Sequence, residues 1–229
     1  MPFVDILRKV LDRPLPPRVG LIQTELDRYR KPRYLEIGVN VGVVFLHVRA
    51  ARKVAVDPVN RIPRWKRLAH PNTLLRGEFV QTTSDAYFEA LEPGDEFDVV
   101  FVDGLHTHEQ SLRDVEQALG CVHREGVVLV HDCNPTSAAA GGPDPDASGG
   151  RGWCGEVWKT IVKLRAERED LEVEVLDTDY GVGVIRRGRN PAPTDPGKPI
   201  AELDYSDLER RRTEFLGLRA PRRSAATRG

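Results

Sequence analysis

Tyr34-Leu35-Glu36-Ile37-Gly38-Val39-Asn40-Val41-Gly42 reads as a short buried strand that breaks into a glycine turn. An apolar, helix-compatible run follows, from Val43 to Val48. Strand, glycine turn and helix start are how a parallel α/β sheet builds a nucleotide-sized site. Gly38 can take a positive φ and lets a ligand approach the backbone, and Gly42 lets the helix start pack on the strand. A dinucleotide fingerprint needs G-x-G-x-x-G. Asn40 stands where the middle glycine would be, and Glu36 sits at the strand tip. A carboxylate there suits a ligand carrying positive charge and hydroxyls better than one carrying phosphates.

Outward from this turn the pattern alternates strands and helices. Strands are expected at 33–37, 53–56, 74–80, 98–102, 127–131, 172–176 and 182–186. Residues 98–102 read as a strand whose apolar run follows Asp98, as in a strand buried on both faces. Helices are expected at 2–12, 18–30, 84–91, 107–122, 153–168 and 206–216. Thr107 and Gln110 form a capping box, and Ser206 with Glu209 is read the same way. The gap between the last two strands is too short for a crossover helix, so they should be antiparallel neighbours. The expected architecture is a Rossmann-like, seven-stranded, mostly parallel sheet with an antiparallel last strand and helices on both faces. The expected organisation is a helical extension at 1–30, one catalytic-size domain at 31–188, and a linker, short helix and basic tail at 189–229, the tail beyond 218 being disordered. Residues 136–152, rich in Ser, Ala, Gly, Pro and Asp, read as a mobile loop: a substrate lid or an inconsequential insertion.

Composition narrows the function class. The 229 residues are 40% hydrophobic, enough for one α/β core. Lys plus Arg (34) nearly balances Asp plus Glu (35), which gives no electrostatic argument for nucleic acid. The segment Arg61–Arg67, with Trp65, reads as a solvated face in preference to an RNA patch. Three cysteines without metal-like spacing fit a reducing cytoplasm. No apolar run is long enough to span a membrane. The apolar stripe of 2–12 would dock on its own domain or on a second copy.

Three further segments complete a pattern: Val102-Asp-Gly-Leu-His-Thr-His-Glu109, Val130-His-Asp-Cys-Asn-Pro135 and Tyr180-Gly-Val-Gly-Val-Ile185. With the Glu36 to Gly42 turn, they resemble the class I S-adenosylmethionine-dependent methyltransferases. The match is to a small subfamily related to sugar and natural-product O-methyltransferases. The resemblance implies S-adenosylmethionine as cofactor. Its methionine part would face Glu36, Gly38, Asn40 and Gly42. Asp57 would accept the ribose hydroxyls, or simply form the turn before Pro58. Ser84 and Asp85 would contact adenine, or cap the helix that follows.

Asp103 and Asp132 end adjacent strands, and two carboxylates there repel unless something positive lies between them. The sulfonium, a protonated histidine and a divalent cation all remain open. In catechol-type and sugar O-methyltransferases acidic residues at these places hold Mg²⁺, which implies Asp103 and Asp132 as ligands here, with Asn134 as a third oxygen. His106, three residues after Asp103, is the best general base in the chain; the competing reading has it shaping its turn. His131 is read equally as catalytic or structural, and His108 as solvated. The expected activity is O-methylation of a small-molecule hydroxyl, assisted by Asp103. Two alternatives stand beside it: an RNA-modifying enzyme of the same fold, and a cofactor-binding protein without transfer activity.

Overall fold

The computed structural model describes residues 14–149 and 152–221; the expected helix at 2–12 lies outside them. Helix α1 (Pro17–Leu26) precedes β1 (Arg33–Ile37) and β2 (Arg52–Val56). Short helices α2 (Arg64–Leu68) and α3 (Pro71–Arg76) lead into β3 (Gly77–Val80) and α4 (Ser84–Glu89). Then come β4 (Phe97–Val102), α5 (His108–Cys121), β5 (Val122–Val130) and α6 (Val157–Glu167). Strands β6 (Leu171–Leu176) and β7 (Val182–Arg187), helix α7 (Tyr205–Leu216) and the two-residue β8 (Leu218–Arg219) close the domain.

The sheet has eight strands, not seven, in the order β3-β2-β1-β4-β5-β7-β6-β8. The additional strand, β8, pairs parallel to β6 through Val175 and Leu176, after Gly217 has ended α7 in the left-handed conformation. Strands β3, β2, β1, β4 and β5 are parallel, and β7 is antiparallel to both β5 and β6, as the short 177–181 turn requires. Strand order reverses between β1 and β4, which opens a crevice beyond their carboxyl ends.

Alternation along the strands fills two cores. Leu35, Val100, Val102, Val128 and Val130 face α5, α6 and α7, packing with Trp158, Ile161 and Phe215. Tyr34, Val99, Phe101 and Leu129 face the opposite layer, with Ile22 and Leu26 of α1.

Several local expectations are corrected. Residues 43–47 make turns, not a helix. Buried Lys53 takes the carbonyls of Phe45 (2.6 Å) and Val48 (2.8 Å), and the run is rich in β-branched valine. Strand β3 starts at Gly77, because residues 71–76 complete α3. The caps also shift. Thr83, not Ser84, accepts from the Ala86 amide at the start of α4, and Asp204 with Asp207 forms the capping box of α7. Within 136–149, the segment at 140–142 is pinned: the Ala140 carbonyl accepts from the amides of Cys154 and Gly155, and those of Gly141 and Gly142 accept from the indoles of Trp158 and Trp153.

Candidate active site

The glycine turn is held from two sides. Gly38 has φ +81°, and a Cβ on it would lie 2.0 Å from the Asp103 carbonyl oxygen. Asp57 Oδ2 accepts from the amides of Val39 (3.0 Å) and Asn40 (2.8 Å), and Oδ1 accepts from Val59. Asp57 therefore shapes the turn, and two carboxylate oxygens retain further acceptor capacity. Asn40 takes φ 47°, the left-handed conformation a glycine would otherwise supply.

Above the strand ends lies a cavity of about 970 Å³. Glu36, Gly38, Asn40, Asp57, Ser84 and Asp85 form one side of it, and Asp103, His106, His131 and Asp132 the other. Gly42 is not on its wall; a Cβ there would meet Ile62 at 2.7 Å, so its smallness serves packing. Glu36 is buried and accepts from the Tyr34 hydroxyl at 2.7 Å. Burial raises its carboxyl to about 8, against the opposing pull of the Tyr34 bond.

At the tips of β4 and β5 two carboxylates and two imidazoles interleave. His106 Nε2 lies 3.5 Å from Asp103 Oδ1 and 3.4 Å from Asp132 Oδ2. His131 Nδ1 lies 3.4 Å from the same Asp103 oxygen and 3.2 Å from the same Asp132 oxygen. His106 Nδ1 is 3.1 Å from the Trp153 carbonyl, which fixes that nitrogen as the donor and turns Nε2 to the carboxylates. Burial alone would lower His106, but Asp103 and Asp132 raise it above the ordinary imidazole value. Burial would likewise lower His131, yet Asp103, Asp132 and Asp179 push it up to about 11. Asp103, which burial would raise, is held well below the usual carboxylate range by the two histidines. Asp132 holds this place with φ 59° on a non-glycine residue, a strained backbone at the centre of the cluster.

A family model described as a methyltransferase domain matches residues 35–133, which run from β1 through the β5 tip. The chain therefore carries a methyltransferase domain across those residues. No curated protein sequence matches it. Solved structures do. Cofactor-bound Rv0187 from MTB superposes with a TM-score of 0.57 at 19% identity, covering 76% of this chain and 80% of that one. The O-methyltransferase from Bacillus cereus, in complex with SAH, gives 0.55 at 15% identity over 81% and 87%. The O-methyltransferase TomG from Streptomyces achromogenes, in complex with SAM, gives 0.53 at 18% identity over 75% and 79%. At these identities the superpositions establish a shared fold.

The cavity brings together the residues singled out from the sequence, except Gly42, which packs behind the turn, and Asn134. Asn134 is committed elsewhere: its amide nitrogen donates to Asp177 at 3.0 Å and its oxygen accepts from Arg212. The three-oxygen Mg²⁺ site therefore lacks its third oxygen. Asp103, Asp132 and His131 place three ligand atoms within 4.8 Å of one another, but one is an imidazole nitrogen. Mg²⁺ selects oxygen donors in near-octahedral geometry, and here two carboxylates and an imidazole stand in place of the three oxygens expected. His108 also departs from expectation. It is half-buried, with Nδ1 3.2 Å from Thr160 Oγ1, and burial lowers its pKa.

Four polar residues of the site escaped sequence reading. Gln110 was counted as half of a capping box; its amide instead donates to Asp114 (2.9 Å), Ser84 and Asp85 (both 3.3 Å), tying α5 to α4 at the cavity wall. Asp114, buried one helical turn later, has its carboxyl raised by burial. The i, i+4 pair was a usable signal. Arg18 of α1 donates to Asp179 in the β6–β7 turn at 2.8 Å, a pair separated by 161 residues and without any local signature.

Proposed function

We propose that this methyltransferase transfers the methyl group of S-adenosylmethionine to a hydroxyl of a small molecule, with His106 as general base. The observation that carries the reading is the position of His106 Nε2, on the cavity wall between the Asp103 and Asp132 carboxylates at 3.5 and 3.4 Å. Glu36 would hold the positively charged methionine part of the cofactor. The Gly38–Gly42 turn would give it a close backbone approach. Asp57 would accept from its ribose, and Ser84 and Asp85, braced by Gln110, from its adenine.

The bound cofactor supplies a methyl already activated as a sulfonium. What remains for the chain is to align the acceptor oxygen and take its proton. Asp103 and Asp132 make His106 a stronger base and stabilise the imidazolium it becomes. His131 acts as a positioning residue: held cationic among three carboxylates, it keeps Asp103 and Asp132 from repelling each other.

The test is turnover of a panel of phenolic, sugar and carboxylic acceptors, read as a mass gain of one methyl group, for the natural protein and for His106→Gln. Methylated hydroxyl product that is lost in the variant, with cofactor affinity intact, supports the reading. Full turnover by His106→Gln removes His106 from the role of base. Tight cofactor binding without product on any class of acceptor would favour a binding protein.

A further inference from the structure

The solvated face read at Arg61–Arg67 belongs to a longer exposed segment, Val59 to Arg76, that also carries large apolar side chains. Trp65 is 49% exposed, Leu68 66%, Leu74 55% and Leu75 77%. With Val59, they account for five of the nine large hydrophobic side chains exposed among the described residues. Five cations are interleaved with them: Arg61, Arg64, Lys66, Arg67 and Arg76. The sequence from Val59 to Arg76 contains no carboxylate, and none of the five cations enters an ion pair among the described residues. The patch begins at the cavity wall, where Val59 and Arg61 stand, and continues through α2 and α3 to β3 at the sheet edge.

We propose that this surface docks on an anionic lipid bilayer, with the leucines and Trp65 entering the headgroup boundary and the arginines and Lys66 facing lipid phosphates. Aliphatic side chains interleaved with basic ones are the composition of interfacial membrane segments. Each component is weak alone: the apolar chains give shallow insertion, and the cations give attraction that salt screens. A single-stranded nucleic acid would reward the cations but not three exposed leucines, because bases stack on aromatic rings and only Trp65 offers one. A second copy docking through a two-fold axis would set five cations against the same five. The surface takes no part in the methyl-transfer scheme beyond its border at Val59 and Arg61, so the proposal stands or falls separately from that scheme.

The experiment is co-sedimentation of the full chain with vesicles of phosphatidylcholine alone and of phosphatidylcholine mixed with phosphatidylglycerol. Binding at least tenfold stronger to the mixed vesicles, weakened by added salt, is expected. Leu68→Ser/Leu74→Ser/Leu75→Ser should lose that binding about tenfold. Arg64→Gln/Arg76→Gln, which leaves the apolar chains in place, should lose it several-fold and flatten the salt dependence. Circular dichroism confirms that each variant is folded. Equal binding to both vesicle types, or binding to neither, overturns the proposal. So does a single-stranded RNA that out-competes the vesicles, which assigns the surface to nucleic acid. A dimer in size-exclusion chromatography that the leucine variant abolishes assigns it to a second copy.

Discussion

Gly38 is packed against Asp103 so closely that a Cβ would stand 2.0 Å from the Asp103 carbonyl oxygen and 2.7 Å from Gly104 Cα. The contact joins the first strand's turn to the fourth strand's tip, where the candidate catalytic residues begin. Both neighbours are backbone, so neither can swing aside. Gly38 also holds φ +81°, which a side chain would strain. Gly38→Ala should cost about 3 kcal/mol or more, from overpacking and backbone strain together. We expect the variant to melt well below the natural protein and to bind S-adenosylhomocysteine at least tenfold more weakly by calorimetry. An unchanged melting temperature and affinity would mean that the turn and the β4 tip move independently.

Glu36 makes cofactor binding pH-dependent. Burial raises its carboxyl to about 8 in the free protein, so at neutral pH it is mostly protonated. A cationic ligand favours the ionised form. Affinity for S-adenosylmethionine should therefore rise with pH, by roughly tenfold per unit well below 8, and level off above it. Glu36→Gln removes the titrating group and should flatten that dependence. Calorimetric titration between pH 6 and 9 on both proteins decides the matter; a flat profile for the natural protein contradicts the assignment.

His106 predicts an acid limb in turnover. Burial lowers it, but the two carboxylates win and raise it, so the neutral, base-competent form accumulates only above the ordinary imidazole range. Turnover should fall as pH drops through that raised value. Asp132→Asn removes one of the carboxylates and should shift the limb toward lower pH, alongside a lower maximum. His106→Gln should reduce turnover about 10²- to 10⁴-fold. A pH–rate profile whose acid limb stays at the same pH in the Asp132→Asn variant would assign the limb to another group.

The donor set predicts indifference to magnesium. Asn134 is held by Arg212 and Asp177, leaving two carboxylates that already sit beside two imidazoles. Turnover after EDTA treatment should match that before it, and millimolar Mg²⁺ should leave the melting temperature unchanged. Loss of turnover restored by Mg²⁺ alone would show that Arg212 releases Asn134.

How far the sequence could be read depended on whether a residue's partner was local. Strand β4 was plain because Phe97–Val102 is apolar but for Asp98 and buried on both faces. The order Glu36, Asp57, Asp103, Asp132 was readable because each residue ends or follows a strand that a parallel sheet ends on the same side. The Arg18–Asp179 pair was invisible, since its members lie on the first described helix and the last turn of the sheet. Asn134 was misjudged for a related reason: Arg212, which takes its oxygen, comes from α7, 78 residues away. The eighth strand consists of only Leu218 and Arg219, too short for any periodicity to register.

Lys53 shows the same limit and carries the last prediction. Its side chain is fully buried inside β2 and donates to the Phe45 carbonyl, the Val48 carbonyl and Thr73 Oγ1, at 2.6, 2.8 and 2.6 Å. Those carbonyls would serve helical amides if residues 43–48 continued as a helix; with Lys53 present they end in turns. Lys53→Met keeps the length and apolar bulk of the side chain but takes the donor from three buried oxygens, of which Thr73 Oγ1 and the Phe45 carbonyl keep a weaker bond to each other and the Val48 carbonyl is left without a side-chain donor. An unsatisfied buried acceptor costs about 1–3 kcal/mol, so a loss of about 2 kcal/mol is expected. Urea unfolding should show a lower midpoint with an unchanged slope. The turn that Lys53 braces leads directly from Gly42, so cofactor affinity should fall with stability. A variant as stable as the natural protein would mean that the run at 43–48 can rearrange to satisfy those carbonyls without the lysine.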